Sequence, residues 1–336
     1  MNKRSPIVSA IVSTHNAEKF LPGRLDNLLA QTIAAQLEII VVVSGSEQRE
    51  SLIVGEYKTH HDNIALITTE QRETIYRAWN RAIRVSSGRF ITNANTDDRH
   101  KPDALETLAA ALLSDPTASV AYGNQFLTRH PPNAAWDDST FQRVRRPAYS
   151  HLRLLEGDVA GPQPLWRASL HWEEDLWFDE RFEVAGDYEF FCRVAERHPF
   201  VHVPTYLGSC YSSSNRSNKE FQNLTVTAQE TAEIQIRYIR QYIASLGRLH
   251  RAKLKRRVRR YLRMPPTLHV ILYRMIHKLL PKVHFFSRAF ATLLCGLLSV
   301  REGDRGFAIE ICRSCEKLPR ATSVRVLREQ LEQGKA

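Results

Sequence analysis

The feature that most constrains this chain is the alternation of short apolar runs with amphipathic runs over its first 123 residues. Ile7–Ser13 and Leu37–Val43 are nearly continuous apolar runs, as expected of strands that are buried on both faces of a sheet. Between them, Ala17–Gln31 carries leucines at helical spacing. This alternation predicts an α/β fold with a mixed, mainly parallel sheet that is flanked by helices. Further strands are predicted at 64–68, 89–94 and 119–123, with helices between them.

Three loops follow the predicted strands at the edge of the sheet where ligands bind. In parallel sheets this edge is formed by the carboxyl ends of the strands. The loops are Thr14–Asn16, Ser44–Ser46 and Asn95–Asp98. No glycine-rich dinucleotide fingerprint and no phosphate-binding P-loop follow the first strand. A dinucleotide-dependent dehydrogenase and a P-loop kinase are therefore disfavoured.

Two adjacent carboxylates, Asp97 and Asp98, come directly after the predicted strand Arg89–Ala94. Such a pair is repulsive unless a cation lies nearby. Hard divalent ions prefer oxygen ligands, and Mg²⁺ takes one or two carboxylates together with substrate phosphates. We therefore expect Asp97 and Asp98 to hold Mn²⁺ or Mg²⁺, with a helix-capping role for Asp98 ahead of Pro102 as the structural alternative.

The order of several short segments makes the pattern more specific. Val8–Asn16 ends in Thr-His-Asn, Glu38–Ser46 ends in a polar turn, and Asn80 precedes Gly88–Ile91 and then Asn95–Asp98. In this order and spacing the segments resemble the family 2 glycosyltransferases, and the resemblance extends over about residues 6–214. It implies the Rossmann-like GT-A fold and sugar transfer from a nucleotide-diphosphate sugar, with inversion, to a hydroxyl of a saccharide or lipid-linked acceptor.

The resemblance also assigns roles to individual residues. Asp187, in the segment Ala185–Phe190, takes the place of the catalytic base, which removes the proton from the acceptor hydroxyl. Its structural alternative is an acid at a helix N-terminus. Trp166 and Arg167 fall where the family has its acceptor-facing wall, although ordinary packing explains them equally well. The implied nucleotide-sugar-binding residues are Thr14, Asn16, Ser44, Asn80, Asn95 and Asp97.

Three positions depart from the family pattern. Val43 and Ser44 stand where the family usually has aspartates, one of which contacts the nucleoside. Asn95 replaces the first aspartate of the metal motif and adds no charge. A degenerate member that binds a nucleotide or a glycan without turnover is therefore a competing hypothesis.

Charge divides the chain into two parts. Residues 1–215 carry 22 Lys and Arg against 27 Asp and Glu, whereas residues 216–336 carry 25 against 9. We predict a GT-A domain over 1–214, with a nucleotide-sugar part over about 1–130 and an acceptor part over about 131–214. A basic helical region over 215–336 follows, and its segment Arg248–Arg263 contains nine Lys and Arg.

The basic region suggests partners of its own. Basic amphipathic helices dock on anionic membrane surfaces. Nucleic acid is disfavoured because the aromatic residues are not interleaved as stacking platforms, although a membrane or nucleic-acid adaptor remains a competing function. The five cysteines are scattered, the N-terminus does not read as a signal peptide, and no uncharged run reaches the roughly 18–20 residues of a spanning helix. These features predict a cytoplasmic protein that is peripheral on the inner face of the membrane.

Overall fold

The computed structural model describes residues 5–129, 141–157, 159–212, 223–265, 272, 287–315 and 321–334. The chain forms two compact units. Unit 1 comprises residues 1–149 and 159–222, and unit 2 comprises residues 150–158 and 223–336. The predicted boundaries at 130/131 and 214/215 lie outside the described residues.

The elements up to residue 211 alternate between strands and helices, and they are numbered along the chain. The first seven are β1 (Val8–Thr14), α1 (Leu21–Leu29), β2 (Leu37–Ser44), α2 (Glu50–Lys58), β3 (Ile64–Thr69), α3 (Ile75–Ile83) and β4 (Phe90–Asn93). They are followed by β5 (Arg99–His100), α4 (Ala104–Ser114), β6 (Val120–Thr128), β7 (Gln142–Val144), α5 (His151–Glu156), β8 (Leu165–Arg167), α6 (Ser169–Trp172), α7 (Gly186–Val194) and β9 (Phe200–Tyr211). All of these except α5 belong to unit 1.

One mixed sheet organises unit 1. Its strand order is β3-β2-β1-β4-β8-β6-β9-β5, and β7 pairs with β6. The first four strands are parallel to one another, whereas β8 is antiparallel to both β4 and β6. The predicted fold class, a mixed, mainly parallel sheet that is flanked by helices, is confirmed.

Apolar side chains on both faces of β1 and β2 explain why these strands lie at the centre of the parallel part. Every residue of β1 except Ser13 is buried, and β2 is buried at every position except Glu38. From α1, Leu21, Leu25 and Leu28 pack into the same core at the i, i+4, i+7 spacing of one helix face. The core therefore fixes the directions of β1 and β2, and with them the edge where their loops emerge.

The two-residue strand β5 was not predicted. Arg99 pairs with Ser209 and His100 pairs with Gly208 in β9, more than a hundred residues away along the chain. Both side chains are buried. This pairing holds the loop after β4 against the sheet, so it determines where Asp97 and Asp98 lie.

Unit 2 is helical in its described part. Besides α5 it contains α8 (Leu224–Ser245), α9 (Arg248–Leu262), α10 (Arg288–Arg301), α11 (Arg305–Cys315) and α12 (Thr322–Glu332). Nearly all of α10 is buried, and α9 and α11 pack against it. Within the residues that the structure describes, no helix combines the length and the apolar character needed to cross a membrane.

Candidate active site

A cleft of about 180 Å³ opens where the loops after β1, β2 and β4 meet. Thr14 and Ser44 line it from the ends of β1 and β2, and Thr96 lines it from the loop that carries the acidic pair. Ile75 and Ala78 contribute the start of α3 as a further wall. The three loops that the sequence selected are thus brought to one place, as the topology of a parallel sheet requires.

A buried glutamate braces the loop after β1. Glu50, at the start of α2, has no exposed surface. Its carboxylate accepts hydrogen bonds from the Ala17 amide at 2.9 Å, the Ser46 hydroxyl at 2.6 Å and the Thr14 hydroxyl at 3.4 Å. Burial on its own raises the pKa of Glu50, but these hydrogen bonds outweigh burial and leave the pKa below its ordinary value. Asn16, in the left-handed region with φ 52°, completes the turn because its amide donates to Ser46 at 3.2 Å.

Ser44 connects the loop after β2 to the loop before α3. Its hydroxyl accepts the Glu73 amide at 2.6 Å, and its carbonyl oxygen lies 2.9 Å from His15 Nδ1. The next residue, Gly45, has φ 53°, and a Cβ there would lie 2.3 Å from the Arg72 amide nitrogen. Only glycine allows this approach, which brings Arg72 to the cleft wall.

The acidic pair divides into an inner and an outer carboxylate. Asp98 is almost fully buried, and its carboxylate accepts from the Tyr211 amide and from Asn95 Nδ2, both at 3.2 Å. Burial, and then the charge of Asp97, raise the pKa of Asp98 to about 7. Asp97 is partly exposed and follows the cleft residue Thr96. Asp98 is thus committed to internal contacts, and Asp97 is the carboxylate available to a ligand.

Two buried arginines, Arg24 and Arg99, lie behind this pair. Arg24, in α1, has no exposed surface and donates to the Asp98 carbonyl oxygen and to Asn27 Oδ1, both at 3.0 Å. Its Nη2 lies 2.5 Å from Nδ1 of the buried His100. Arg99 Nη1 also contacts the Asp98 carbonyl oxygen, at 2.6 Å. Burial lowers the pKa of Arg24 to about 9 and that of Arg99 to about 10, so both remain cationic at neutral pH.

The carboxylate oxygens of Asp97 and Asp98 fit a divalent ion. Within the part of the chain that the structure describes, no other residue donates a hydrogen bond to the Asp97 carboxylate, and desolvation raises the pKa of Asp97 above its ordinary value. A cation in front of Asp97 would relieve both this desolvation and the repulsion from Asp98. Among the described residues no group of three or more His, Cys, Asp or Glu side chains could hold a metal. Such an ion would therefore need oxygen ligands from the substrate or from water.

Asp187 is connected to the same cleft through one aromatic side chain. It is the second residue of α7, and its carboxylate accepts the Tyr188 amide at 2.8 Å. The Tyr76 hydroxyl, which donates to the Val184 carbonyl oxygen at 2.5 Å, lies 3.4 Å from Asp187 Oδ1. A Cβ on Gly186 would lie 2.7 Å from the Tyr76 ring, so glycine permits this packing. Tyr76 belongs to the turn of α3 that lines the cleft. The structure therefore brings Asp187 towards the loops after β1, β2 and β4.

Asn80 has a different task from the predicted one. It is buried, its Nδ2 donates to the Phe178 carbonyl oxygen at 2.9 Å, and its Oδ1 accepts the Phe178 amide at 3.1 Å. Its Nδ2 also lies 3.1 Å from Glu180 Oε1. Both ends of the Asn80 amide are thus bonded within the fold and connect α3 to the segment before α7. We therefore do not place Asn80 among the residues that bind the nucleotide sugar.

Trp166 and Arg167 are likewise engaged inside the fold. Trp166 has no exposed surface, and its Nε1 donates to Nε2 of the buried His171 at 2.8 Å. Arg167 donates to the carbonyl oxygens of Leu112, at 2.5 Å, and Ala118, at 2.8 Å. Trp166 therefore presents no exposed face, whereas Arg167 is half-buried with its guanidinium bonded to the main chain. These contacts do not support a role for either residue on the acceptor side.

Part of the chain is similar in sequence to known proteins. Residues 9–163 match the model of glycosyl transferase family 2. The chain is 25% identical to a chondroitin synthase of Escherichia coli over 201 residues, which are 60% of this chain and 28% of that protein. The chain thus spans less than a third of the length of this relative.

Two solved structures share the fold. S. aureus TarS 1–349 in complex with UDP-GlcNAc has a TM-score of 0.60 at 19% identity, over 98% of this chain and 92% of that one. Mannosyltransferase PcManGT from Pyrobaculum calidifontis, in complex with GDP-Man and Mn²⁺, has a TM-score of 0.53 at 16% identity, over 99% and 84% of the two chains. At these identities the likeness establishes the fold.

Replacement of Arg24 by methionine tests the buried cation. The variant leaves the Asp98 carbonyl, Asn27 and His100 without their shared donor and removes a charge that compensates the acidic pair. We expect the free energy of unfolding in urea to fall by about 3–5 kcal/mol. Arg49→Met, at an exposed arginine, is the matched control and is expected to change it by less than about 0.5 kcal/mol. Equal stability of the two variants would contradict the role of Arg24.

Replacement of Glu50 by glutamine tests whether Glu50 stabilises the loops after β1 and β2. Because the folded pKa of Glu50 is lowered, its ionised form stabilises the fold above the ordinary glutamate pKa, and this contribution is lost as the pH falls through the folded value. Glu50→Gln is therefore expected to lower the free energy of unfolding by about 1 kcal/mol at neutral pH, and by less in acid. Urea unfolding across the pH range measures this, with the exposed Glu47→Gln as control. A loss that is independent of pH would refute the electrostatic role.

Proposed function

Because residues 9–163 are a glycosyl transferase family 2 domain, we propose that this protein is an inverting, metal-dependent glycosyltransferase. It moves a sugar from a nucleotide-diphosphate sugar to a hydroxyl of a saccharide or lipid-linked acceptor. The observation that carries the proposal is the cleft at the carboxyl edge of the sheet, with Asp97 next to its lining residue Thr96 and Asp187 in contact with Tyr76 of its α3 wall.

The donor occupies the cleft between the loops after β1 and β2. Thr14, Asn16 and Ser44 surround the nucleotide end, and their positions are fixed by Glu50 and by the Glu73 amide. The UDP-GlcNAc and GDP-Man in the complexes of the two neighbours support a nucleotide-diphosphate sugar as donor. Because no aspartate stands at Val43 or Ser44, the nucleoside is bound by neutral groups and the main chain.

The diphosphate lies against Asp97, with Asn95 and Asp98 behind it. Asp97 would hold the Mn²⁺ or Mg²⁺ directly, and Asp98 would support it. When bound, the ion supplies Lewis-acid neutralisation of the charge that develops on the leaving diphosphate. The Mn²⁺ named in the PcManGT complex supports this assignment.

Asp187 is the general base of the transfer. Its carboxylate takes the proton of the acceptor hydroxyl while that oxygen forms a bond to the anomeric carbon. The bond between the anomeric carbon and the diphosphate oxygen breaks on the opposite face, so the configuration inverts and the nucleoside diphosphate leaves with the bonding electrons. Tyr76 and the Tyr188 amide hold the carboxylate in place for this step.

The acceptor belongs to surface polysaccharide or glycolipid assembly, consistent with the relative named as a chondroitin synthase. Docking of the basic helical region on the inner face of the cytoplasmic membrane stays a prediction, supported by the charge of residues 216–336. A catalytically degenerate binder and a basic membrane or nucleic-acid adaptor are not favoured, because residues 9–163 match the glycosyl transferase family 2 model and Asp187 contacts Tyr76 of α3, the helix that lines the cleft.

Asp97→Asn tests the metal assignment. The amide removes the charge that faces the diphosphate and retains the size of the side chain. We expect Mn²⁺-stimulated donor turnover to fall by about 10²–10³-fold, the range for the loss of one electrostatic contact to the transition state. Nucleotide-sugar hydrolysis with Mn²⁺ and with EDTA measures this, with the exposed Asp62→Asn as control. Full Mn²⁺-stimulated activity in Asp97→Asn would refute the assignment.

Asp187→Asn tests the general base. The amide cannot take a proton, whereas it retains the contacts with Tyr76 and the Tyr188 amide. We expect kcat for transfer to fall by about 10²–10⁴-fold, with little change in KM for the donor. Since the nearby Glu183 is exposed, Glu183→Gln is the matched control. A raised donor KM at unchanged kcat would show that Asp187 binds substrate and is not the base.

A further inference from the structure

The basic helix α9 has an inward face whose residues are used within unit 2. Val258 is fully buried, and α9 packs against α10. Lys255 is paired with Glu302, the residue that follows α10, and the Arg259 guanidinium lies 4.8 Å from the ring centroid of Phe307 in α11. The apolar residue and two of the cations of α9 therefore hold unit 2 together.

The outward face of α9 has a different composition. Lys253, Arg256, Arg257 and Arg260 recur at helical spacing and, together with Tyr261, line a surface recess of about 300 Å³. For Lys253, Arg256 and Arg260, no hydrogen bond or ion pair is formed with another residue that the structure describes. Like charges three and four residues apart destabilise a helix. The face thus keeps an uncompensated repulsion that an anionic ligand would relieve.

An aromatic ring lies among these cations. The Tyr261 hydroxyl accepts from Arg257 Nε at 2.9 Å, and the guanidinium lies 5.7 Å from the ring centroid. This contact orients the ring at the recess. Aromatic rings present large, rigid apolar surfaces with a polar edge, which suits the C–H face of a sugar ring whose hydroxyl groups point outwards. A recess with cations and one ring combines the groups that recognise a charged saccharide.

A lipid surface suits this face less well. Helices that lie on membranes insert a broad apolar face between the headgroups. In α9 the buried Val258 points inward, and Leu254 and Leu262 are half-buried, so Leu249 at its start is the one strongly exposed large aliphatic side chain of the helix.

We propose that the outward face of α9, formed by Lys253, Arg256, Arg257, Arg260 and Tyr261, binds an anionic saccharide chain. The cations engage its carboxylate, sulfate or phosphate groups, and Tyr261 packs against a sugar ring. This inference goes beyond the proposed function, since it gives unit 2 a ligand class of its own.

Binding of polysaccharides to the full chain without donor tests the proposal. The probes are fluorescent polygalacturonate, dextran sulfate and neutral dextran, followed by anisotropy, with inorganic polyphosphate as an anion that has no sugar ring. Arg256→Glu/Arg260→Glu is expected to weaken binding of the charged polysaccharides by about tenfold or more, equivalent to about 1.4 kcal/mol. Lys58→Glu/Arg301→Glu changes net charge equally at exposed positions outside the recess and is expected to change binding by less than about threefold.

Tyr261→Leu separates sugar recognition from charge. It is expected to weaken binding of the charged polysaccharides and to leave polyphosphate binding unchanged. Equal losses in the two charge-reversal variants, or binding to phosphatidylglycerol vesicles or duplex DNA but not to the polysaccharides, would overturn the proposal.

Nucleotide-sugar hydrolysis, measured in parallel, keeps the two proposals distinguishable. Hydrolysis is expected to be unchanged in Arg256→Glu/Arg260→Glu, because the donor cleft is untouched. Donor turnover by a protein that binds no charged polysaccharide would refute the α9 site alone. Recess-dependent polysaccharide binding without turnover of any nucleotide sugar would support the site as an anionic-saccharide site and refute the proposed transfer.

Discussion

The cost of burying two adjacent carboxylates controls the architecture around the cleft. Asp98 cannot reach solvent, so its compensation must come from within the fold. The Asn95 amide and the Tyr211 main chain supply hydrogen bonds, and Arg24 and Arg99 supply positive charge. This arrangement explains why a fully buried arginine occupies the inner face of α1, where leucines would otherwise continue the core. It also leaves Asp97 as the member of the pair that an ion and a diphosphate can reach.

Much of the parallel half of the sheet could be predicted, because the apolar composition of its strands itself indicates that they are buried. Ile7–Ser13 and Leu37–Val43 were predicted to within one residue of β1 and β2 at each end. The strand β5 could not be predicted, since Arg-His has no strand propensity of its own. It is a strand only because β9 lies beside it. Glu50 was missed for a related reason: an acid in the first turn of a helix is usually solvated, and its burial depends on loops from two other strands.

The same limit applies to polar residues that local patterns assigned to the site. Asn80 lies on a helix next to the cleft, but its amide matches the main-chain donor and acceptor of Phe178, so it closes a contact between distant segments. Trp166 and Arg167 look like ligand-binding residues by type, yet both are bonded within the fold. The order of the motifs along the sequence selects these residues, but it does not show which groups their side chains bond. Only the three-dimensional packing shows which side chains retain unsatisfied bonding capacity.

Unsatisfied capacity is also what separates the two faces of α9. All of its basic residues look equivalent in sequence, and a solvated helix would treat them alike. In unit 2, Lys255 has a partner just after α10 and Arg259 has one on α11, whereas Lys253, Arg256 and Arg260 share one side of a recess. A chain that needed positive charge only for solubility would gain nothing from crowding it at one recess beside a tyrosine. The segregation is instead what binding of an extended anion requires, because several weak contacts in a row add up only when they lie along one line.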